Sequence, residues 1–342
     1  MNHVAIDLGS QMSQVCSRGP DGAILAERKH PTRRLGELLR TWPASRVILE
    51  TSAEAFRIAD AALASGHEVR VVPATLVKTL GVGARGIKTD ERDARTLSQV
   101  SCRIDLPSVH IPTARSRELK SVCGSRQILL EVRTKLINNV RGWLRTQLWR
   151  VRSGATGTLP ARVRAQAASR QESLPEHVER QLLAIEALTA QVKAADRQVQ
   201  RLACGDALCR RLMTVPGVGP VTAVRFVAAL DEVSRFPNAH AVQSYLGLTP
   251  GEDSSSQRQR RTGITKAGPS ALRHTLIQAA WVAYCRHARE PMAMWASQIA
   301  ARRGKCIAVV ALARKLAGIL FALWRDGTVY RPRLNAEPSA ES

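Results

Sequence analysis

The chain has 342 residues, 44% of them hydrophobic, and its 51 Lys and Arg residues outnumber 28 Asp and Glu residues to give a formal net charge of +23. A chain of this length and apolar content can bury two cores, so we expect two domains with a connector. The charge favours nucleic acid as partner. A membrane partner is not expected, since no unbroken apolar run reaches roughly 18 residues and Met1 begins no recognisable signal peptide. The most apolar stretch, 306–324, is interrupted by Arg314 and Lys315 and predicts an amphipathic packing helix.

Strands alternate with helices in the first hundred residues. Short apolar runs bounded by turn residues predict strands at 3–8, 11–17, 23–28, 46–50 and 68–72. Helical patterns lie at 33–42 and 54–64, and a further helix begins at Thr89. The order βββαβαβα predicts an α/β domain of the ribonuclease H-like (RuvC-like) type.

Four carboxylates stand where these elements end or begin. Asp7 closes the first strand, Glu50 closes the fourth, and Asp90 and Asp93 lie three apart on the helix that follows Thr89. Strand ends and a helix start on one sheet can bring four acids together, and such a cluster in a basic protein predicts divalent metal and phosphate chemistry. This points to a nuclease or recombinase. The alternative is a non-catalytic nucleic-acid-binding protein in which the acids cap helices or face solvent.

The middle of the chain predicts long helices. Residues 113–150 form one helix on the spacing of Leu129, Val132, Leu136, Val140, Leu144 and Leu148. Residues 151–173 are rich in Arg, Ala, Ser and Gly, which predicts a basic connection between the helical segments. A seven-residue repeat follows at Val178, Ile185, Val192 and Val199. It fits a self-associating coiled-coil hairpin and equally an antiparallel helix pair packed within one subunit.

A second, mainly helical domain begins near residue 210 with a glycine turn. In PGVGP, Gly217 and Gly219 separate two helices and would let backbone N–H groups approach a phosphate, as in helix-hairpin-helix elements. A tight turn without ligand would look similar. Cys204 and Cys209 could in principle bind metal, but no second pair matches them, so idle thiols are the expected reading.

Three consecutive serines followed by cations mark the segment after GLTPGED, ahead of a helix that begins near Pro269. A serine that attacks a phosphodiester requires cationic surroundings. The cations here are Arg258, Arg260, Arg261 and Lys266.

Together these motifs resemble the DEDD transposases of insertion-sequence family one-hundred-ten, whose recombinases are guided by a bridge RNA. The resemblance runs from residue 3 to about 285 and rests on Asp7, on Glu50 in ILETS, on KTDERDA, on PGVGP and on GLTPGEDSSSQRQRRTGITKAG. It implies a RuvC-like catalytic domain at 1–112 and a helical, dimerising connector at 113–205. It also implies a transposase domain at 206–330 and a flexible tail at 331–342. The family often has a lysine at the position of Ser10, so this chain departs from the pattern there.

The resemblance also implies a chemistry. The four acids would bind Mg²⁺, and a serine would form a covalent phosphoserine with DNA. Counting from Pro250 as in the family motif gives Ser255, with Ser254 and Ser256 as the neighbouring alternatives. The implied partners are donor and target DNA, a structured guide RNA, and further copies of the chain in a homodimer or homotetramer. The implied location is the bacterial cytoplasm, in association with the nucleoid.

Two further functions compete with this one. IDLGS resembles the first phosphate loop of actin-like ATPases and sugar kinases, but the sequence contains no second Gly-rich phosphate loop. A RuvC-like structure-specific endonuclease that hydrolyses DNA at the same four acids is the closest alternative, and a covalent protein–DNA adduct would distinguish the two.

Overall fold

A computed structural model describes residues 1–77, 89–252 and 261–332, without the side chains of Asp90 and Arg261. The chain divides into two compact units, Met1–Pro112 and Thr113–Ser342.

The first unit contains a mixed sheet. Its strands are β1 Asn2–Asp7, β2 Met12–Arg18, β3 Ile24–Pro31, β4 Ser45–Glu50 and β5 Glu68–Val72. They lie in the order β3-β2-β1-β4-β5, in which β1, β2 and β3 pair antiparallel while β1, β4 and β5 pair parallel. The antiparallel half is the predicted meander, whose turns are short. The parallel half requires helical crossovers between strands. The result is a mixed α/β unit consistent with the predicted ribonuclease H-like domain.

Helices cover both faces of this sheet. They are α1 Leu35–Arg40, α2 Ala55–Ala64, α3 Ala74–Val77 and α4 Asp90–Arg103, with a 3₁₀ turn at Thr32–Arg34. Alternate residues of a strand point to opposite faces, so β1 contributes to two cores. Val4 and Ile6 pack with α1 and α2. Ala5 packs with Ile48 and with Leu97 of α4 on the other face.

The second unit is mainly helical. Its helices are α5 Ala114–Thr146, α6 Leu159–Ser169, α7 Glu176–Gly205, α8 Ala207–Leu212, α9 Pro220–Leu230, α10 Ala239–Tyr245, α11 Ser270–Arg286, α12 Pro291–Arg303 and α13 Lys305–Asp326. A hairpin of β6 Pro250–Glu252 and β7 Arg261–Ile264 lies between α10 and α11, and 3₁₀ turns lie at Thr156–Thr158 and Val233–Arg235.

The long helices α5 and α7 pack antiparallel within one chain. Cys123, early in α5, shares a core with Val199, late in α7, whereas Leu144 shares another with Val178 at the start of α7. Nε of Arg126 donates to Oδ1 of Asp196 across the pair at 2.6 Å. The heptad positions of α7 are all buried in this arrangement. Of the two alternatives, the pair packed within one subunit accounts for the repeat.

The predicted connection at 151–173 was wrong in one respect, because it contains helix α6. Leu159, Val163 and Ala167 recur every fourth residue and are buried against α5 and α7. Arg164 on the same helix bonds Glu179 and Glu186 of α7, each at 2.6 Å. The Arg-rich composition concealed a short amphipathic period whose apolar stripe is only three residues long.

Helix α13 is a core helix of the second unit, as the apolar stretch predicted. Leu312, Leu316 and Leu320 lie in its buried stripe, while Nε of Arg314 donates to Oε1 of Gln243 at 2.9 Å. In the described part of the chain, α13 has the length and mean hydropathy of a membrane span, but half of that window is buried inside the protein. Membership in the core accounts for its apolar character.

Candidate active site

Asp7 and Glu50 end two neighbouring parallel strands at the same level. The register of β1 and β4 pairs Ile6 with Leu49, and each acid is the next residue of its strand. Because the carboxyl ends of parallel strands meet at one edge of a sheet, the two acids lie side by side at that edge.

The two acids also point to the same face. Ala5 and Ile48 both pack in the core beneath α4. Since side chains two residues apart share a face, Asp7 and Glu50 lie on the α4 face as well. Both are partly exposed, so a ligand can reach them.

Helix α4 carries Asp93 to this face. Asp93 is only 3% exposed and precedes Leu97, a member of the core beneath α4, by about one turn. Thr89 caps the helix by accepting the N–H of Arg92 at 3.3 Å, which sets where the first turn begins. Asp90 opens the helix, but its side chain lies outside the described residues. Three of the four predicted acids therefore share one face of the first unit.

Polar contacts hold the far end of α4 against the sheet. Nδ1 of His3 and Oγ of Ser101 are hydrogen-bonded at 2.8 Å. Burial, followed by the charge of Arg46, lowers the pKa of His3, which favours the neutral ring. Arg46 forms ion pairs with Glu68 at 3.1 Å and Asp105 at 3.5 Å. These ion pairs therefore lie at the amino ends of β4 and β5, while Asp7 and Glu50 lie at the carboxyl ends of their strands.

Two arginine contacts attach the middle of α4 to the antiparallel half of the sheet. Arg95 binds both carboxylate oxygens of Glu27 on β3 through Nε, at 2.7 and 2.8 Å. Arg18 on β2 donates through Nε to Oγ of Ser98 at 3.0 Å. Together with the core contact of Leu97, these bonds fix the rotation of α4 and hence the direction of Asp93.

The donor chemistry of this face fits a divalent cation, because carboxylate oxygens are the ligands that hard cations prefer. The described side chains contain no group of three or more His, Cys, Asp or Glu already arranged to hold a metal ion, and the side chain of Asp90 is not one of the described side chains.

The two cysteines considered as metal ligands differ in exposure. Cys209 is buried, which raises the pKa of its thiol to about 12, whereas Cys204 is exposed. The two thiols thus lie in different environments.

The β6–β7 hairpin holds the two ends of the serine segment. Pro250 pairs with Ile264 and Glu252 with Arg261 in antiparallel register. The predicted residues Ser254, Ser255, Ser256, Arg258 and Arg260 lie outside the described residues, as does the side chain of Arg261.

Close backbone packing supports the base of this hairpin. The backbone N–H of Thr265 donates to the carbonyl of Thr249 at 3.0 Å, and the backbone N–H of Lys266 donates to the carbonyl of Gly247 at 3.1 Å. The Lys266 residue is exposed. A Cβ at Gly268 would lie 1.9 Å from the carbonyl oxygen of Tyr245, so only glycine allows this approach.

Arg273 also braces the hairpin base and was missed by the sequence reasoning. Its Nη1 donates to the carbonyls of Ala267 at 2.8 Å and Leu246 at 3.1 Å. The sequence signal for it was a lone cation in the first turn of α11. A positive charge there interacts unfavourably with the helix dipole, which indicates that the side chain makes a stabilising contact outside the helix.

The PGVGP turn is tightly packed at one glycine and open at the other. Gly217 has φ +87°, and a Cβ there would lie 2.4 Å from the carbonyl oxygen of Ala279 on α11. Gly219, the N-cap of α9, has φ −100° and open space where a Cβ would be. Gly217 therefore has a packing role in the described structure, and a phosphate contact at either glycine stays a prediction.

We expect Gly217→Ala to destabilise the protein by roughly 2–4 kcal/mol for two reasons. The alanine would have to adopt a left-handed backbone conformation, and its methyl group would overlap α11. Gly219→Ala, the matched control, should cost less than about 1 kcal/mol. Denaturant unfolding measures both. Equal stabilities would contradict the packing role, whereas weaker DNA binding by folded Gly219→Ala would support the phosphate contact.

Comparison with known proteins gives two family matches along the chain. A family model of DEDD-type IS110 transposases matches residues 4–148, and a second, described as transposase IS116/IS110/IS902 family, matches 209–296. The first match contains Asp7, Glu50 and Asp93. The second contains the PGVGP turn, the β6–β7 hairpin and α11.

Curated relatives align along nearly the whole chain. A probable family 20 transposase of Pseudomonas aeruginosa is 29% identical over 97% of this chain and 99% of its own length. The transposase for insertion sequence element IS1111A of Coxiella burnetii is 25% identical over 96% and 91%. The transposase for element IS1328 of Yersinia enterocolitica is 24% identical over 96% and 98%.

Transposases of this kind cut and rejoin DNA, and a DEDD domain implies a divalent metal ion. Two models of one family match in order along the chain, and the relatives align end to end with it. The chain belongs to the IS110 family of DEDD transposases.

Proposed function

We propose that this chain is an RNA-guided DNA recombinase that acts through a Mg²⁺-dependent DEDD site and a covalent phosphoserine. The observation that carries the proposal is the convergence of Asp7, Glu50 and Asp93 on one face of a mixed sheet in a chain of net charge +23. Acids on a basic protein suit metal-assisted chemistry on a polyanion.

The acids would hold Mg²⁺ as a set. Asp7 and Glu50 come from the ends of two paired strands, and Asp93 comes from a helix that is held by its cap and its arginine contacts. Asp90, one turn before Asp93, would complete the set. The bound ion would supply charge stabilisation to the oxygens of the scissile phosphate.

The proposed nucleophile is Ser255, with Ser254 and Ser256 as neighbouring alternatives. Its Oγ forms a bond to phosphorus as the bond from phosphorus to the leaving DNA oxygen breaks, and the serine proton ends on that leaving oxygen. The reverse exchange with another strand's hydroxyl rejoins DNA and frees the serine. The phosphoester is conserved throughout, so no ATP is needed. The cations Arg258, Arg260, Arg261 and Lys266 would stabilise the phosphate.

The two halves of the chemistry lie in different units of the chain. In the proposed assembly the acids of one subunit act with the serine of another, which requires a homodimer or homotetramer. Base pairing with a guide RNA would then choose donor and target DNA, while the protein reads backbone shape and charge. The corresponding location is the bacterial cytoplasm, at the nucleoid.

A recombination assay tests this proposal as a whole. Purified protein is incubated with donor DNA, target DNA, Mg²⁺ and a transcript of the DNA that flanks the gene, and the junctions are sequenced. We expect joined products only when both transcript and Mg²⁺ are present. Joined products without any transcript would refute RNA guidance.

Metal-dependent hydrolysis by the same acids is the second candidate, because it needs only the described face with Asp7, Glu50 and Asp93. It predicts free strand ends and no covalent protein–DNA species. A protein that binds nucleic acid and leaves it intact with Mg²⁺ would instead be the non-catalytic binder.

The charge of the serine segment makes a separate prediction. Removing one of Arg258, Arg260, Arg261 or Lys266 by substitution with Gln should lower the slope of log affinity against log salt by about 0.9 per lost phosphate contact. Arg180→Gln is a suitable control, because Arg180 already pairs with a glutamate on its own helix. A slope unchanged in all four variants would place this segment away from the nucleic acid.

A further inference from the structure

We propose that a cleft in the second unit, formed by α5, α9 and the start of α11, binds a phosphodiester of nucleic acid. The cleft is lined by Arg225, Ser270, Arg273 and His274, with Gln127 and Glu131 at its α5 side, and its volume is about 450 Å³. The inference does not depend on the acids of the first unit or on the nucleophilic serine.

A buried guanidinium with neutral partners lies in this cleft. Arg225 on α9 is 7% exposed. Its Nη1 donates to Oγ1 of Thr275 at 2.6 Å and to the carbonyl of Ala271 at 3.3 Å. Its Nη2 donates to Oε1 of Gln127 at 3.1 Å and to the carbonyl of Cys123 at 3.2 Å. These bonds use the four N–H groups on Nη1 and Nη2, and all four acceptors are neutral. Among the described residues no carboxylate pairs with this guanidinium, and a buried charge is costly without a counter-charge.

The anionic candidates next to Arg225 do not supply that counter-charge. Burial raises the pKa of the Cys123 thiol, so the thiol stays neutral. Glu131 is exposed, accepts Nε2 of Gln127 at 3.0 Å, and forms no ion pair with Arg225 among the described residues. The cleft therefore has room for an external anion over a positively charged floor.

The start of α11 adds donors to the same cleft. Ser270 and Ala271 open this 17-residue helix, and Pro269 at the N-cap makes no side-chain capping bond. The first N–H groups of a helix have no partner within the helix and bind phosphate well. Arg273, at the end of the first turn, and His274, the next residue, also line the cleft. The positive charge of Arg273 favours an anion over a neutral ligand.

A phosphodiester is the anion that fits this protein best. Fixed positive charge and helix amino ends attract phosphate oxygens, and the family implies a DNA substrate. Arg273 also braces the base of the β6–β7 hairpin. A backbone phosphate held here would therefore lie near the base of that hairpin and would fix the register of the bound strand.

Thermal unfolding with inorganic phosphate tests the cleft directly. Against chloride of equal ionic strength, phosphate at about fivefold its Kd should raise the Tm by roughly 2–4 °C. Arg225→Met should lose this shift, and Arg225→Lys should keep part of it. Arg286→Gln, an exposed change at the far end of α11, should keep all of it. Absence of the shift in the unmodified protein would overturn the proposal.

A second pair of variants covers the case in which Arg225→Met does not fold. His274→Glu places a negative charge in the cleft at an exposed position, where an acid also suits the helix dipole. His287→Glu, just beyond the other end of α11, is the matched control. Phosphate stabilisation should vanish in the first and persist in the second, and equal shifts in both would refute the cleft.

Salt titrations with duplex DNA and with single-stranded RNA identify the source of the phosphodiester. The slope of log affinity against log salt is negative, and His274→Glu should make it less steep. The expected reduction in its magnitude is about 0.9 if the cleft holds duplex DNA and about 0.7 if it holds single-stranded RNA. If neither slope falls although the inorganic phosphate shift disappears, the ligand is free phosphate and the proposal of a nucleic-acid contact is wrong.

Discussion

Asp7→Asn, Glu50→Gln and Asp93→Asn are each expected to lower the rate of DNA cleavage by roughly 10³-fold or more, because metal-assisted charge stabilisation is worth several kcal/mol. The amides keep the shape of each side chain and remove the charge that holds a cation. DNA binding should change little, since the phosphate backbone is attracted by the cations of the chain. Asp90→Asn should behave in the same way if Asp90 completes the set.

Asp105→Asn is the control for these variants. Asp105 belongs to the same unit but pairs with Arg46 and Arg70 at the opposite end of the sheet. The Asp105→Asn variant should therefore cleave DNA at the normal rate. Stabilisation by Mg²⁺ in thermal unfolding provides a readout besides activity and should be lost in the acid variants alone. Near-normal cleavage in more than one of them would remove the metal-site assignment.

Ser255→Ala is expected to eliminate the covalent protein–DNA species and all strand exchange, because a methyl group cannot act as a nucleophile. Ser254→Ala and Ser256→Ala should retain both at reduced rate. Mass spectrometry of trapped complexes identifies the modified peptide. These three variants are matched controls for one another, since they differ only in the position of one hydroxyl.

The outcomes of the serine experiment are distinct. DNA linked to Ser254 or Ser256 would move the nucleophile by one position and keep the mechanism. Cleavage that continues without any modified serine would identify a hydrolytic nuclease. The acid variants would abolish cleavage in either case, so failure of the serine prediction leaves the metal prediction intact.

Local sequence patterns determined the elements of the first unit. Apolar runs bounded by turn residues predicted each strand to within a few residues, and the meander followed by helical crossovers is the topology observed. The seven-residue repeat likewise predicted a long helix, observed as Glu176–Gly205. These features depend on periods of two and about 3.6 residues, which are visible in any one segment.

The sequence by itself also determined which acids to consider and which family motifs they match. The tertiary structure decided that Asp7 and Glu50 end at one level, because this depends on the register of two strands that are forty residues apart. The tertiary structure likewise decided that the apolar face of α7 packs against α5 of the same chain. It also decided that Gly217 packs against α11.

Arg225 shows the same limit most clearly. In the sequence it is one of many arginines in the chain, placed on the apolar helix α9. Only the approach of α5 and α11 buries its charge among neutral acceptors beside a cleft. Burial, charge balance and the level at which strands end arise from contacts between segments distant in the chain. Local patterns could therefore predict the elements and the candidate residues, and only the packed structure could decide their environment.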